Sequence, residues 1–359
     1  MVALRLFAAL LVIYGHSWAV AHDADGPDWL TKALGVFSGT IAVDIFFVVS
    51  GLLVTMSYAR RDSIWTFVGA RALRIFPALI CCVAVTTFLL GSVMTTLPSL
   101  AYLRQRATWS YLVENIGLLG NLQWTLPGVF EHNFNAGVVN GSIWTLPAEL
   151  EMYGYVLVFG VLGLLRNRTA FTVALAGLSA LVLAHAPYIR LVAAADYVPW
   201  AGFFAFGALC YVFRDRAFVS WTILAGLASL CALSRGTAGY PLALGATIAY
   251  AALWLGFTPL FRHWRLENDY SYGIYLYGFP AQQTWAALYP DWGPWSMFFV
   301  SASSAVLLGA MSWHFIEHPA LRLKVALPGA KRRARGGVAE NPSAGIRIDH
   351  GESARVGNR

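Results

Sequence analysis

Long apolar runs recur along almost the whole chain, and they constrain its fold more than any other feature of the sequence. A helix needs roughly 20 apolar residues to cross a bilayer core of about 30 Å. Ten runs approach that length, near residues 3–21, 35–58, 72–95, 143–165, 170–187, 196–213, 218–234, 240–258, 271–289 and 295–316. Backbone polar groups in lipid must be satisfied internally, so these runs predict helices. The predicted fold class is all-α, a polytopic membrane protein with about ten transmembrane helices.

The composition agrees with a surface that mostly faces hydrocarbon. The chain is 58% hydrophobic and only 12% charged, whereas a soluble domain carries about 25% charged residues. Its four cysteines, Cys81, Cys82, Cys210 and Cys231, lie in apolar runs without the spacing of metal ligands. They are expected to be small buried side chains. The sequence therefore predicts no metal site.

The basic residues predict how the chain is oriented in the membrane. If the N-terminus is cytoplasmic, 20 of the 25 Lys and Arg residues fall on the cytoplasmic side. This asymmetry is what the positive-inside rule produces. Both termini are therefore predicted to be cytoplasmic, with the protein embedded among the lipids of the inner (cell) membrane. The net charge of +7 is explained by topology, and no nucleic-acid partner is expected.

The predicted spans divide the chain into a transmembrane domain, a long loop within it and a tail. Residues 1–322 form the predicted transmembrane domain, and residues 96–142 within it form a long extracytoplasmic loop. Residues 323–359 are polar and rich in Gly and Arg, which predicts a disordered, basic cytoplasmic tail.

The first apolar run carries two polar residues, Arg5 and His16. They are 11 positions apart, very nearly three helical turns, so both emerge on one face roughly 16 Å apart along the axis. Arg5 alone is well explained as an arginine that extends to the headgroups. His16 is predicted to lie in the outer half of the membrane, where an ionisable group is costly and indicates function. The alternative is a histidine that bonds a neighbouring helix.

Two carboxylates are predicted at the same depth as His16. Asp44 and Glu149 each lie several residues inside a helix that enters from the outer side. Pairing with an imidazole or an arginine lowers the cost of burying a carboxylate, and a histidine held by a carboxylate is a usual general base. The alternative is a purely structural hydrogen-bond network between helices.

Arg71 and Arg74 form a second polar pair, at the inner end of the third run. Being three residues apart, they are neighbours on one helix face. Two guanidinium groups suit the binding of phosphates, although anchoring at the cytoplasmic surface explains them equally well.

These stretches together resemble the membrane-bound acyltransferase-3 family, whose members O-acylate extracytoplasmic carbohydrates. The matching elements are the Arg-x10-His spacing and the segments "VDIFFVVSGLL", "RALRIFPAL", "SIWTLPAELEMY", "SYGIYLYGFP" and "FIEHPAL". They occur in the family's order and extend from residue 4 to about 321. One departure is Gly278, at a position where many members carry a histidine, so no role is transferred to it.

The resemblance implies the reaction. An acyl group, most commonly acetyl, would pass from cytoplasmic acyl-CoA, a co-substrate and not a bound cofactor, to a hydroxyl of an extracytoplasmic carbohydrate. His16 would deprotonate that hydroxyl or carry the acyl group itself, with Glu149 or Asp44 orienting it. The residues implied in substrate binding are Arg5, Arg71 and Arg74 for the CoA phosphates, together with Trp144, Tyr153 and Tyr275.

Some alternatives stay open at this point. A transporter could use the buried His, Asp and Glu as a proton relay. The sequence identifies neither the acceptor nor the oligomeric state, and it does not separate acetyl from longer acyl groups. The loop 96–142 combines aromatic rings with amides, as carbohydrate sites do, so it is expected to cover the outer mouth above His16. A plain solvated connector is the competing interpretation.

Overall fold

The described part of the chain is almost entirely helical. The structure, a computed structural model, describes residues 1–21, 26–60, 63–118, 121–185, 197–258, 266–327 and 347–348. Its helices are α1 (Val2–Val20), α2 (Trp29–Leu34), α3 (Ser38–Ala59), α4 (Ile64–Met94), α5 (Ser99–Arg104), α6 (Arg106–Gly117), α7 (Leu146–Val161), α8 (Arg168–His185), α9 (Tyr197–Val212), α10 (Trp221–Leu233), α11 (Tyr240–Phe257), α12 (Ser271–Leu288) and α13 (Pro294–Ser312).

Shorter elements join these helices. A 3₁₀ turn (Ile143–Thr145) leads into α7, and another (Leu164–Arg166) follows it. Helix α13 continues through a π turn (Trp313–Glu317) into His318–Arg322 and a last 3₁₀ turn (Leu323–Ala326). Two short strands, β1 (Phe218–Val219) and β2 (Arg347–Ile348), pair in parallel. Most of the predicted tail 323–359 lies outside the described residues.

Each of the ten predicted spans coincides with a helix. Five of the helices in the described ranges are long and apolar enough to cross a membrane by length and composition: α1, α3, α4, α11 and α13 with its continuation. Ten spans and cytoplasmic termini remain predictions. The predicted start of the third span at residue 72 is wrong, because α4 begins at Ile64. Arg71 and Arg74 therefore lie two to three turns inside the helix and not at its end.

Helix α3 packs extensively against α9 and α1. Glycines make the contact with α9 possible, since a Cβ on Gly51 would lie 2.0 Å from the carbonyl oxygen of Phe204. A Cβ on Gly207 would lie 2.1 Å from the carbonyl oxygen of Val48. Small residues commonly allow such close approach between helices in membranes.

The chain before α7 enters the bundle beside the second turn of α12. The side-chain amide of Asn140 donates to the carbonyl oxygen of Leu276 at 3.0 Å, and the hydroxyls of Thr145 and Tyr275 lie 2.5 Å apart. Non-helical backbone at this depth is tolerated because protein surrounds it. Helix α7 therefore begins deep within the bundle.

The α3–α9 contact predicts a specific sensitivity to added volume. We expect Gly51→Ala to lower stability by about 1–3 kcal/mol, the usual cost of overpacking, because the new methyl group would meet backbone that cannot rotate away. Thermal unfolding in detergent measures the effect. The matched control is Gly202→Ala in α9, where nothing lies within 4 Å of the added atom. Equal melting temperatures for Gly51→Ala and the wild type would contradict the prediction.

Candidate active site

An open cavity lies between α1, α3, α4, α7 and α12, with a volume of about 800 Å³ that includes solvent at its mouth. It brings together six of the predicted site residues: Arg5, Arg71, Arg74, Glu149, Tyr153 and Tyr275. The other polar lining residues are Ser50, Thr145, Ser271 and Tyr272, and the apolar ones are Val43, Phe46, Phe47, Val49, Leu53, Val54, Ile75 and Leu146. His16, Asp44 and Trp144 are not among the lining residues.

Two of the arginines are ion-paired within a group that we name the Asp269 cluster, consisting of Arg5, Arg74, Asp269 and Glu317. Arg5 Nη1 pairs with Asp269 Oδ2, and Arg74 Nη2 lies 2.7 Å from the same oxygen. Arg74 Nη1 also lies 3.2 Å from Glu317 Oε2. The cluster joins α1 and α4 to the segment just before α12 and to the turn after α13.

Asp269, which precedes α12, stays ionised in this environment. Burial by itself raises the pKa of its carboxyl group, but the guanidinium groups of Arg5 and Arg74 lower it, as does the hydroxyl of Ser271 at 2.5 Å from Oδ1. The resulting pKa is about 2. Arg5 and Arg74 therefore keep a carboxylate partner at neutral pH.

The sequence reasoning missed Asp269 and Glu317. Glu317 lies within the quoted segment "FIEHPAL", and Asp269 is two residues before "SYGIYLYGFP". A signal was available, because arginines buried inside a membrane helix require anionic partners. It did not indicate which of the chain's acidic residues those partners are.

Arg71 is the cavity arginine that stands outside the cluster. Its Nη2 lies 3.5 Å from Ser57 Oγ, and its guanidinium carbon lies 5.7 Å from the centre of the Tyr153 ring. Its Nε is buried without a hydrogen-bond partner. Across the described ranges of the chain, no carboxylate lies within ion-pair distance of Arg71. This guanidinium can therefore accept an anionic ligand without first losing a carboxylate partner.

Glu149 is held by hydroxyl groups inside the cavity. Its Oε1 accepts from Ser50 Oγ at 3.2 Å and from the hydroxyl of Tyr153. The prediction that it lies level with His16 is wrong. Glu149 contacts Ser50, whereas His16 contacts Phe37, and these two residues are 13 positions apart along α3, about 20 Å of helical rise. Helix α7 starts beside Tyr275, in the second turn of α12, and therefore inside the bundle.

His16 is oriented by the backbone. Its Nδ1 lies 2.9 Å from the carbonyl oxygen of Val12. A carbonyl can only accept, so Nδ1 carries the proton and Nε2 is left with a free lone pair. The ring makes edge contacts with Phe37 and Phe279, at centroid distances of 5.3 and 5.2 Å. The imidazole thus has the tautomer that a base acting through Nε2 needs.

The expected pairing of His16 with a carboxylate is not present among the described contacts. Glu149 bonds to hydroxyls instead, and Asp44 is buried with its Oδ1 lacking a hydrogen-bond partner. Trp144 packs against the ring of Trp200 at a centroid distance of 4.6 Å. Trp144 does not line the cavity described above, and its predicted contact with substrate stays a prediction.

Comparison with known proteins identifies the family. The profile of the acyltransferase-3 family, described as an acyltransferase domain, matches residues 2–314. The chain belongs to the acyltransferase-3 family. It is an O-acyltransferase, and its apolar helices make it a multi-pass membrane protein. Family membership favours this activity over the transporter alternative.

Two relatives match this acyltransferase over most of its length. Nodulation protein 10 of Rhizobium leguminosarum bv. viciae is 29% identical, covering 90% of this chain and 93% of the relative. An O-acetyl transferase of Shigella phage Sf6 is 29% identical, covering 87% of this chain and 93% of the relative. No solved structure matches the chain.

Hydrogen bonds hold the loop before α7 against α12 of the acyltransferase. Buried Gln283 donates to the carbonyl oxygens of Asn135 and Val138 at 2.8 and 2.5 Å. A Cβ on Gly141 would lie 3.0 Å from the ring of Phe279, the same ring that contacts His16. The ring of Phe279 therefore lies between the end of the loop and His16.

Part of the loop's predicted binding surface is occupied by internal contacts. Tyr111, Asn115 and Asn140 are buried. The amide groups of Asn115 and Asn140 bond to the backbone of Gln123 and Leu276. The side chains of Trp109 and Trp124, by contrast, are exposed.

The structure also explains why this chain lacks a histidine at position 278. A Cβ on Gly278 would lie 2.9 Å from Cγ1 of Ile13 in α1. A larger side chain would push apart the helices that carry His16 and Phe279.

Among the described residues, no group of three His, Cys, Asp or Glu side chains could hold a metal ion.

The Asp269 cluster predicts a large loss of stability from a conservative change. Asp269→Asn keeps the volume but leaves Arg5 and Arg74 with an uncompensated charge, which typically costs about 3–5 kcal/mol when the pair is buried. We expect a clearly lower melting temperature in detergent. The matched control is Asp215→Asn, which breaks an exposed ion pair with Arg168 and should change the melting temperature little. Similar melting curves for the two variants would contradict a structural role for the cluster.

Proposed function

We propose that this acyltransferase transfers an acetyl group from cytoplasmic acetyl-CoA to a hydroxyl of an extracytoplasmic carbohydrate, across the inner membrane. The observation that carries the proposal is the cavity, which has arginines at the end formed by the start of α1 and hydroxyl groups further along α12. The name of the Shigella phage Sf6 relative, an O-acetyl transferase, supports acetyl as the group transferred. The distribution of basic residues supports a cytoplasmic location for the arginine end.

The donor's phosphates would be bound chiefly by Arg71. Arg5 and Arg74 are engaged by Asp269 and Glu317, whereas Arg71 has an unused Nε–H. Guanidinium groups bind phosphates through several parallel hydrogen bonds. The apolar walls of the cavity suit the pantetheine arm, which would extend from Arg71 towards Tyr275.

The acceptor would be activated by His16. Tyr275 lines the cavity and Phe279 contacts His16, and these two residues are separated by one turn of α12, about 6 Å. The thioester could therefore come within reach of an acceptor hydroxyl placed at His16. Nε2 would take the proton of that hydroxyl as its oxygen attacks the carbonyl carbon.

The exposed part of the loop would contribute to binding the acceptor. Trp109 and Trp124 offer exposed aromatic rings, and aromatic surfaces suit the CH faces of sugars. The loop also ends at Gly141, against Phe279. This arrangement would cover His16 from the outer side and help to select the acceptor.

The proposal is tested first at His16. We expect His16→Ala to abolish acetyl transfer from radiolabelled acetyl-CoA in proteoliposomes supplied with acceptor glycan, because it removes the base. The Kd for CoA should be unchanged, since His16 does not line the donor cavity. The control is His314→Ala, on the turn after α13, which should retain activity. Normal glycan acetylation by His16→Ala would exclude His16 as the base.

A second prediction separates the two arginines of α4. Arg71→Ala should raise the KM for acetyl-CoA roughly 10- to 100-fold with little effect on kcat, because a charge-assisted contact is worth about 1.5–3 kcal/mol and lies far from the reacting carbon. Arg74→Ala should instead lower the melting temperature, since it leaves Glu317 without its arginine and Asp269 with only one of its two. Steady-state kinetics and thermal unfolding measure the two effects. An unchanged KM for Arg71→Ala would leave that arginine without a role in donor binding.

A further inference from the structure

Two buried hydroxyl groups face each other on the wall of the cavity. The hydroxyls of Thr145 and Tyr275 lie 2.5 Å apart, and both residues are less than a tenth exposed. Thr145 belongs to the 3₁₀ turn before α7, and Tyr275 to the second turn of α12. The Tyr275 ring is also packed edge-on against Phe46 at a centroid distance of 5.7 Å. The pair is therefore held in place by two helices and an aromatic contact.

A count of hydroxyl protons distinguishes this pair from the rest of the cavity. Six hydroxyl side chains line it, and four of them donate to acceptors that can only accept. These four bonds are Ser50 to Glu149, Tyr153 to Glu149, Ser271 to Asp269, and Tyr272 to the carbonyl oxygen of Ile75. Thr145 and Tyr275 together have two protons and share one hydrogen bond. Within the described contacts, one hydroxyl proton of this pair is left without an acceptor.

The pair is also placed between the arginines and His16. Tyr275 lies six residues after Asp269 in the chain and four residues before Phe279, whose ring touches His16. By helical rise these separations are about 9 and 6 Å. A donor whose phosphates lie at the arginines would bring its thioester past this unused proton.

We infer that Tyr275 and Thr145 form the oxyanion site of the acyl transfer. This inference rests on the proposed function, in which an acyl thioester is the donor. The acceptor oxygen bonds to the carbonyl carbon, and the π pair of the C=O bond moves onto its oxygen. The negative oxygen accepts the unused hydroxyl proton as a hydrogen bond. The C=O bond then re-forms, the C–S bond breaks, and the acceptor's proton, held by His16, passes to the thiolate of CoA.

The two hydroxyls have different roles in this step. A phenol is a stronger hydrogen-bond donor than an alcohol, so Tyr275 donates to the oxyanion and is the catalytic residue. Thr145 donates to the phenol oxygen and is a positioning residue, since it orients the phenol and strengthens its donation. Preorganised donors of this kind stabilise charge that develops only in the transition state.

The test uses isosteric variants of the full-length protein in proteoliposomes. Tyr275→Phe should lower kcat roughly 100- to 1,000-fold, the usual effect of losing one oxyanion donor, with the Kd for CoA unchanged. Thr145→Val should lower kcat only about tenfold, the effect of losing one supporting hydrogen bond. The double variant should be no slower than Tyr275→Phe, because Thr145 acts through the phenol. The matched control is Tyr277→Phe on the same helix, whose hydroxyl contacts only Cys81 Sγ at 3.8 Å in the described structure.

A second measurement follows the hydrogen bond itself. The infrared stretch of an isotope-labelled acetyl carbonyl in bound acetyl-CoA should lie at lower frequency in the wild type than in Tyr275→Phe. A merely structural role for Tyr275 would leave this frequency unmoved. An unchanged frequency, or a kcat of Tyr275→Phe within threefold of the wild type, overturns the oxyanion site. If the wild type neither binds nor consumes acetyl-CoA, the proposed donor is wrong instead, so the two failures are distinguishable.

Discussion

The bundle depends on one carboxylate shared between two guanidinium groups. Asp269 pairs with Arg5 and Arg74, which are 264 and 195 residues away in the chain. Removing these groups from water is costly, and the cost is offset only when each charge has its partner. The pairing therefore fixes how α1 and α4 sit against the start of α12. Those same helices supply the walls of the cavity, so its shape follows from this interaction.

Much of the fold could be predicted from the apolar runs alone, because backbone polar groups in a bilayer must be satisfied within the segment itself, which requires helices. The ten predicted segments are all helical for this reason. The depth of individual residues could not be predicted in the same way. Glu149 lies far from His16 because the segment before α7 enters the protein interior, where Asn140 satisfies the carbonyl oxygen of Leu276. Such a path depends on tertiary hydrogen bonds, which leave no periodic pattern in the sequence.

The orientation of His16 shows a second limit of arguments from residue type. A buried histidine suggests a carboxylate partner, and the sequence offered two candidates, Asp44 and Glu149. The structure uses the carbonyl oxygen of Val12, one turn earlier in the same helix. This acceptor sets the tautomer as firmly as a carboxylate would, and it adds no charge to the membrane interior. Backbone acceptors exist at every residue, so composition could not have identified this one.

The electrostatics of the cavity bear on turnover as well as on binding. The donor acetyl-CoA and the product CoA would carry the same phosphates. Tighter binding of those phosphates would therefore strengthen the binding of both equally and would not accelerate the chemical step. Three carboxylates accompany the three arginines of the site: Asp269, Glu317 and Glu149. Among these arginines, Arg71 keeps a buried Nε–H without a hydrogen-bond partner. Under the proposed function, carboxylates beside the arginines would allow CoA to leave after the reaction. The hydroxyl pair of Thr145 and Tyr275 would act mainly on the charge that develops in the transition state.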